Sequence, residues 1–337
     1  MQFLNSYVRF LGVCPSDEED ILKHIEKCGR ICYKSEHKID PMLSSHNKFF
    51  KMLHSKGHLS AIEHSNIVVR ISFKDIATRC DDLVSVYYSL LTTLQYRTNY
   101  FRIVFDEIDN VSIMYISANI RAWDEYFRDS IEYENQFCLY ETLALFLASK
   151  YPIIFSQLRE YVKRRNNYFD GTIDDMDVAS SMDIVSVEEQ MGDSILIEND
   201  ISQYTFHILT DRGISHEIVR HRVFAYSQES TRYINYKSAG IQFVDFPMPE
   251  EMAHRYLYFC EQAELLYNSM IESGVKPQFA RNVLPHSIKT EITMTGRMSG
   301  YSHFINLRAS NAAHPSIQLI ARKIDEIFIT VLGSEGE

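Results

Sequence analysis

Fourteen residues of this chain, RHRVFAYSQESTRY from Arg220 to Tyr233, concentrate groups that hold anions. Arg220, Arg222 and Arg232 each offer a planar fork of donors that matches phosphate oxygens. Ser227, Ser230 and Thr231 add hydroxyls, which with loop N–H groups complete such a cradle. His221, Gln228, Tyr226 and Tyr233 lie among them. The stretch follows a helix expected over 213–222. Two readings therefore stand: a cradle for one or two phosphates, or cations that complement the C-terminal end of a helix dipole. Three arginines and three hydroxyls in one loop exceed what capping needs.

Three further stretches carry polar residues in unusual places. GHLSAIEH, Gly57 to His64, sets two histidines, Ser60 and Glu63 between a helix and a strand. His58 and His64 are six apart, which fits neither a helical pair of metal ligands nor a finger spacing, so no metal site is expected. Ser60 and Glu63 there read as capping residues. FARNVLPHS, Phe279 to Ser287, places Arg281 on an otherwise apolar helix. YSHFINLRASNAAHPS, Tyr301 to Ser316, flanks apolar residues with His303 and Arg308. A lone arginine of this kind is commonly a structural ion-pair partner. Neither G-x-G-x-x-G, nor a P-loop, nor a G-x-S-x-G elbow occurs.

These side chains need elements to position them. Ser16 followed by acids opens a helix over 16–33. A second helix is expected over 44–56, ended by Gly57. SNIVVRISF (65–73) and QYTFHIL (203–209) are rich in β-branched and aromatic residues and read as strands. Helical patterns are expected at 82–96, 119–130, 136–149, 152–165, 213–222, 249–273, 276–283, 298–307 and 313–332, and KTEITMT (289–295) is ambiguous, with some strand character. The pattern is α+β with helices dominating.

The composition is that of a globular protein, with 45% hydrophobic and 23% charged residues among 337. That length suggests about two domains, or one with an insertion. The net charge of −11 is concentrated. Residues 169–203 contain no Lys or Arg and hold ten acids, from Asp170 to Asp200. This segment reads as a solvated insertion, with DDMD and MGDS as surface loops. An acidic chain without a basic face argues against nucleic-acid partners. Six scattered cysteines without a C-x-x-C pair suggest a reducing compartment. No signal-peptide layout and no apolar run of roughly 18 residues is seen, so a cytoplasmic protein without membrane contact is expected.

Together the four polar stretches resemble the flavin-dependent thymidylate synthases. That family's signature, R-H-R followed after seven residues by S, is matched by Arg220-His221-Arg222 and Ser230, and its extension S-Q-x-S-x-R-Y by Ser227, Gln228, Ser230, Arg232 and Tyr233. GHLSAIEH is similar to its G-H-x-[ST]-x-x-E-H, ARNVLP to A-R-x-x-L-P, and HFINLR to H-F-x-x-L-R, all in family order. The resemblance covers roughly 18–75 and 203–332. It implies a helix-rich α+β fold around a small central β-sheet. Residues 1–75 and 203–337 would form the core, and 76–202 a mostly helical insertion of unknown role.

The resemblance further implies a homotetramer with sites built from several subunits. It implies conversion of dUMP to dTMP, with methylenetetrahydrofolate as carbon donor and NADPH as reductant through FAD. By position, Arg220, His221 and Arg222 match flavin-binding residues. His58, Ser60 and Glu63 match residues near the flavin and folate, and His303 sits near the flavin. Gln228, Ser230, Thr231 and Arg232 match the nucleotide loop, with Glu217 just before it. Arg281 matches an arginine on the nucleotide phosphate, and Arg308 one on the pyrimidine. Arg308 and Ser230 are the expected catalytic groups: Arg308 would stabilise developing charge, and Ser230 would position rather than attack. The chain departs from the family at Arg297, at Ser299 and in the stretch from Ala313 to Ile317. It departs again at Glu217, often Gln, where a carboxylate near a phosphate must be turned away or paired. A related enzyme that hydroxymethylates a pyrimidine nucleotide, or a catalytically silent nucleotide- or flavin-binding protein, stays open beside the synthase.

Overall fold

The computed structural model describes residues 2–72, 100–108, 111–129, 137–158 and 182–333. Strands β1 (Gln2–Leu4) and β2 (Tyr7–Val13) lead to helix α1 (Glu18–Ile31). Asp17 rather than Ser16 opens α1, accepting the N–H of Glu19 at 2.9 Å. Three acids in its first turn and Arg30 in its last complement the helix dipole. Helix α2 (Ser45–Ser55) and a 3₁₀ helix (Leu59–Glu63) precede strand β3 (Ile67–Ser72). Next come β4 (Arg102–Ile108), β5 (Val111–Ala118), α3 (Ile120–Asp129), α4 (Phe137–Lys150), β6 (Met182–Ile184), α5 (Val187–Gly192) and α6 (Ser194–Glu198).

The chain continues with β7 (Gln203–Asp211), α7 (Arg212–Ile218), β8 (Ala225–Gln228), α8 (Tyr236–Ala239) and β9 (Gln242–Val244). It ends with α9 (Glu250–Glu272), α10 (Pro277–Ala280), β10 (Lys289–Arg297), α11 (Met298–Arg308) and α12 (Pro315–Gly333). Long periodic helices thus fall close to where the sequence puts them. The expected helix 82–96, the second half of 152–165 and the DDMD loop lie outside the described residues. MGDS is the junction of two short helices, where Asp193 caps α6 by accepting the N–H of Ile195 at 2.9 Å.

Two compact units emerge. The first comprises 1–12, 27–39 and 204–337; the second comprises 13–26 and 40–203. In the first, the sheet order is β2-β7-β10-β8, and β1 pairs parallel with β9. Strand β7 is buried along almost its whole length, as a central strand must be. Its core is aromatic. Phe206 packs on Phe10, Tyr301 and Phe328 with ring centroids 5.1–5.2 Å apart. The Tyr301 hydroxyl, 2.7 Å from Met294 O, is satisfied inside that core. A smaller cluster beneath α9 uses Cys260, Ala263 and Tyr267, one face of an otherwise largely solvated helix.

The second unit holds an antiparallel sheet in the order β4-β5-β3-β6. The segment expected to be mostly helical therefore also supplies three strands. The single small sheet expected from the resemblance becomes, among the described residues, two four-stranded sheets and one two-stranded pair. The two strand candidates of the sequence lie in different sheets: β3 pairs with β5 and β6, and β7 sits between β2 and β10. Part of the acidic segment is tied down, since Arg70 on β3 pairs with Asp183 and Glu189, each at 2.9 Å. Cys14, Cys28, Cys32 and Cys260 are not joined in disulfides. Among the described residues, no helix is long and apolar enough to cross a membrane.

Candidate nucleotide and flavin site

The first unit builds the arginine-rich stretch from β7 outward. Asp211 ends β7 and caps α7, accepting the N–H of Ile214 at 2.8 Å. Helix α7 stops at Ile218, four residues short of the expected end, where the side chain of Tyr226, eight residues on, captures the turn. The Tyr226 hydroxyl lies 2.8 Å from Ile218 O and 2.9 Å from His221 O, sharing its proton between them. Arg220 to Arg222 therefore form a turn, not helix. Phe224 anchors that turn. Its ring packs on Tyr301 at 4.7 Å and fills the space over Gly296 and Gly300, where a Cβ would stand 2.3 Å and 3.2 Å from it.

Arg308, the last residue of α11, reaches back to this turn. Its Nε–H donates to His221 Nε2 at 3.0 Å, and its Nη1 donates to Glu217 Oε2 at 2.8 Å. The departure noted at Glu217 thus has a physical answer: the carboxylate is paired. Burial, then the charge of Arg308, then His303 hold the His221 imidazole down at about 4. His221 is neutral at ordinary pH, as an acceptor at Nε2 must be. Its ring rests on Phe304 at 4.9 Å and faces His303 at 6.0 Å. Arg220 and Arg222 are exposed, and neither forms an ion pair among the described residues.

The following loop is held from several directions. Strand β8 pairs antiparallel with β10, with Gln228 opposite Ile292 and Ser227 opposite Thr293. Gln228 turns inward, donating to Ser215 Oγ at 2.7 Å and Thr290 Oγ1 at 3.2 Å. Ser230 N donates to Cys32 O at 3.0 Å, and the Ser230 hydroxyl accepts from Arg232 N at 3.3 Å. Arg281 donates to Thr231 Oγ1 at 2.8 Å. The isolated arginine of the sequence thus meets the hydroxyl loop directly. Arg232 lies over the Tyr233 ring at 5.6 Å and stays exposed. In this one unit the fold brings together Glu217, His221 and Arg308 on one side of α7, and beyond it Gln228 at the end of β8 and Ser230, Thr231 and Arg232 in the following loop, which Arg281 reaches from after α10.

GHLSAIEH belongs to the second unit. Gly57, at φ 68°, ends α2 in the left-handed region that favours glycine. His58 then opens the 3₁₀ helix with no side-chain cap, so Ser60 and Glu63 do not cap it. Glu63 instead accepts from Arg121 on α3 at 2.6 Å. Burial raises the Glu63 carboxyl, with Arg121 opposing. His64 is fully buried, and burial, then the charge of His24, holds it neutral with its pKa down at about 3. Among the described residues, no three His, Cys, Asp or Glu side chains are placed to hold a metal ion.

Sequence reasoning missed a buried charged network beneath the loop. Glu229 accepts from Lys289 at 2.8 Å and from the Tyr236 hydroxyl at 3.0 Å. Lys289 also pairs with Glu291, which lies 2.9 Å from His207 Nε2. Burial pulls the Lys289 ammonium down, but Glu229 and Glu291 outweigh it and raise its pKa. Burial likewise raises Glu291, but His207 and Lys289 hold it at about 2. The signal was present in KTEITMT: Lys289 and Glu291, two apart on a strand, share a face.

A family model described as thymidylate synthase complementing protein matches residues 198–332. The chain is 31% identical over 119 residues to the flavin-dependent thymidylate synthase of Thermococcus onnurineus (strain NA1), covering 34% of this chain and 48% of that protein. It is 32% identical over 130 residues to the flavin-dependent thymidylate synthase of Pyrococcus furiosus, covering 36% and 53%. To the probable flavin-dependent thymidylate synthase of Paramecium bursaria Chlorella virus 1 it is 31% identical over 143 residues, covering 37% and 65%. The chain spans about half the length of the first two relatives.

Proposed function

We propose that this chain, a member of the thymidylate synthase complementing protein family through residues 198–332, catalyses the reductive methylation of dUMP to dTMP. Methylenetetrahydrofolate supplies the carbon, and NADPH supplies reducing equivalents through FAD. The working form is a homotetramer. Residues 1–75 and 203–337 carry the family core, and 76–202 is an insertion whose strands β4 to β6 extend the sheet that β3 begins.

One observation carries the reading. Arg220 and Arg222 stand exposed, without an ion-pair partner among the described residues, next to a hydroxyl loop that already holds Arg281. That donor set fits two phosphate-bearing ligands, FAD at Arg220 to Arg222 and dUMP at Ser230, Thr231, Arg232 and Arg281. His221 accepts at Nε2, so its proton sits on Nδ1 and is available as a donor toward the flavin. His303 serves the flavin in this reading, and His58, Ser60 and Glu63 are assigned to flavin and folate binding by their match to the family motif alone. The flavin, when bound, supplies the hydride chemistry.

The chain's own residues bind and polarise. Arg308 has five N–H groups and spends three, on His221 Nε2, Glu217 Oε2 and Glu217 O, so two remain for a pyrimidine carbonyl. A guanidinium fixed on two sides costs little reorganisation when negative charge develops on that carbonyl. Glu217 and Gln228 orient: the first holds Arg308, the second ties the loop to α7. Ser230 positions the nucleotide. Among the described residues, no imidazole or carboxylate stands within hydrogen-bond distance of its hydroxyl to activate it as a nucleophile.

The test is a visible spectrum of the protein with FAD, before and after dUMP, followed by mass analysis of the product. A bound-flavin spectrum that shifts with dUMP, and formation of dTMP, is the expected result. A hydroxymethylated nucleotide would move the assignment to a sibling enzyme. A protein that takes up no flavin would overturn the reading in favour of a silent binder.

A further inference from the structure

The nucleotide loop rests on Glu229, a residue the resemblance assigns no role. All four polar groups of Glu229 are engaged. Its N–H donates to Glu291 O at 2.8 Å, and its carbonyl accepts from Arg212 at 3.1 Å. One carboxylate oxygen accepts from Tyr236 at 3.0 Å and the other from Lys289 at 2.8 Å. These partners come from three separate elements: α7, α8 and two positions on β10. The Lys289 and Glu229 side chains are 3% and 1% exposed. Ser230, Thr231 and Arg232 follow immediately.

A buried ion pair is a poor way to gain stability. Desolvating two charges costs several kcal/mol each, and a well-packed apolar pair often does as well or better. What such a pair supplies is geometry: each carboxylate oxygen has one direction in which its donor lies, so the residue has one place to sit. We propose that Glu229, Lys289 and Tyr236 are positioning residues that set the Ser230–Arg232 segment for the nucleotide phosphate. The inference rests on the nucleotide reading of that loop. It assigns these three residues to substrate placement and leaves FAD affinity to Arg220, His221 and Arg222.

The experiment uses the full chain loaded with FAD and titrates dUMP by calorimetry. Four proteins are compared: wild type, Lys289→Met, the double variant Glu229→Gln/Lys289→Met, and Tyr236→Phe. Lys289→Met leaves a buried carboxylate unpaired and lowers the Tm. The double variant removes both charges and regains most of that Tm. Its dUMP Kd stays weakened about ten-fold, with the FAD Kd within two-fold of wild type. Tyr236→Phe keeps both charges and weakens dUMP about three-fold. A purely structural role would restore dUMP affinity along with the Tm. A double variant within two-fold of wild type for dUMP, or a parallel loss of FAD affinity, overturns the positioning role. If wild type with FAD binds no dUMP, the nucleotide reading itself fails and this inference with it.

Discussion

Gly296→Ala tests how the Arg220–Arg222 turn is anchored. Gly296 lies at the end of β10, and a Cβ there would stand 2.3 Å from Phe224 Cδ1 and 2.8 Å from Cε1. Ordinary carbon contacts lie near 3.5 Å, so the ring must retreat by about 1.2 Å. It cannot retreat freely, since Tyr301 packs on it at 4.7 Å and Gly300 lies alongside. Overpacking of this kind costs about 1–3 kcal/mol, or roughly 1–2 °C in Tm per kcal/mol for a chain of this size. Phe224 sits two residues after Arg222, so its displacement also moves the turn, and FAD binding weakens. Urea unfolding and FAD titration measure the two effects. Phe224→Ala alone leaves a cavity and costs about 3–5 kcal/mol. Added to Gly296→Ala it removes the clash, so the double variant is less destabilised than the two singles together. Wild-type stability and FAD affinity in Gly296→Ala, or strict additivity in the cycle, would refute the anchoring argument.

Two further outcomes are expected. Tyr226→Phe removes the donor that closes the turn after α7 and leaves two carbonyls without it; a loss of about 1–3 kcal/mol should appear in urea unfolding. His221 is held at about 4 in the folded chain against 6.5 when free. As pH falls through that window the unfolded chain takes up a proton that the folded chain does not. Stability therefore declines from about pH 6.5 toward pH 4, by up to about 3 kcal/mol from this group. His221→Gln keeps an acceptor for Arg308 without the titration, so its stability curve should be flatter there than that of wild type.

Patterns confined to a few turns of chain were legible in the sequence. The 3.6-residue periodicity of 249–273 became α9, and the β-branched runs became β3 and β7. The four polar motifs were legible because each keeps its chemistry within about ten residues. Strand β8 was not legible, because only Tyr226 among its residues AYSQ favours strands and it forms by pairing with β10 some 65 residues later. Strands β4 and β5 were missed for a related reason: β4 mixes acids into its apolar run, and the pairing with β5 decides it.

By itself the sequence determined which groups are available: the arginines, hydroxyls and imidazoles, and the helices and strands dense enough in pattern to form locally. Tertiary structure decided what those groups face. Glu217 looked unfavourable beside a phosphate until the fold set it against Arg308, 91 residues away. Arg281 looked like a stray charge until the loop brought it to Thr231. Lys289 and Glu229 carried no reading of their own in the sequence; the sheet buries them together across 60 residues of chain. The reason is physical: a charge or hydrogen-bond partner acts over a few ångströms of space, however far apart its residues lie in the chain.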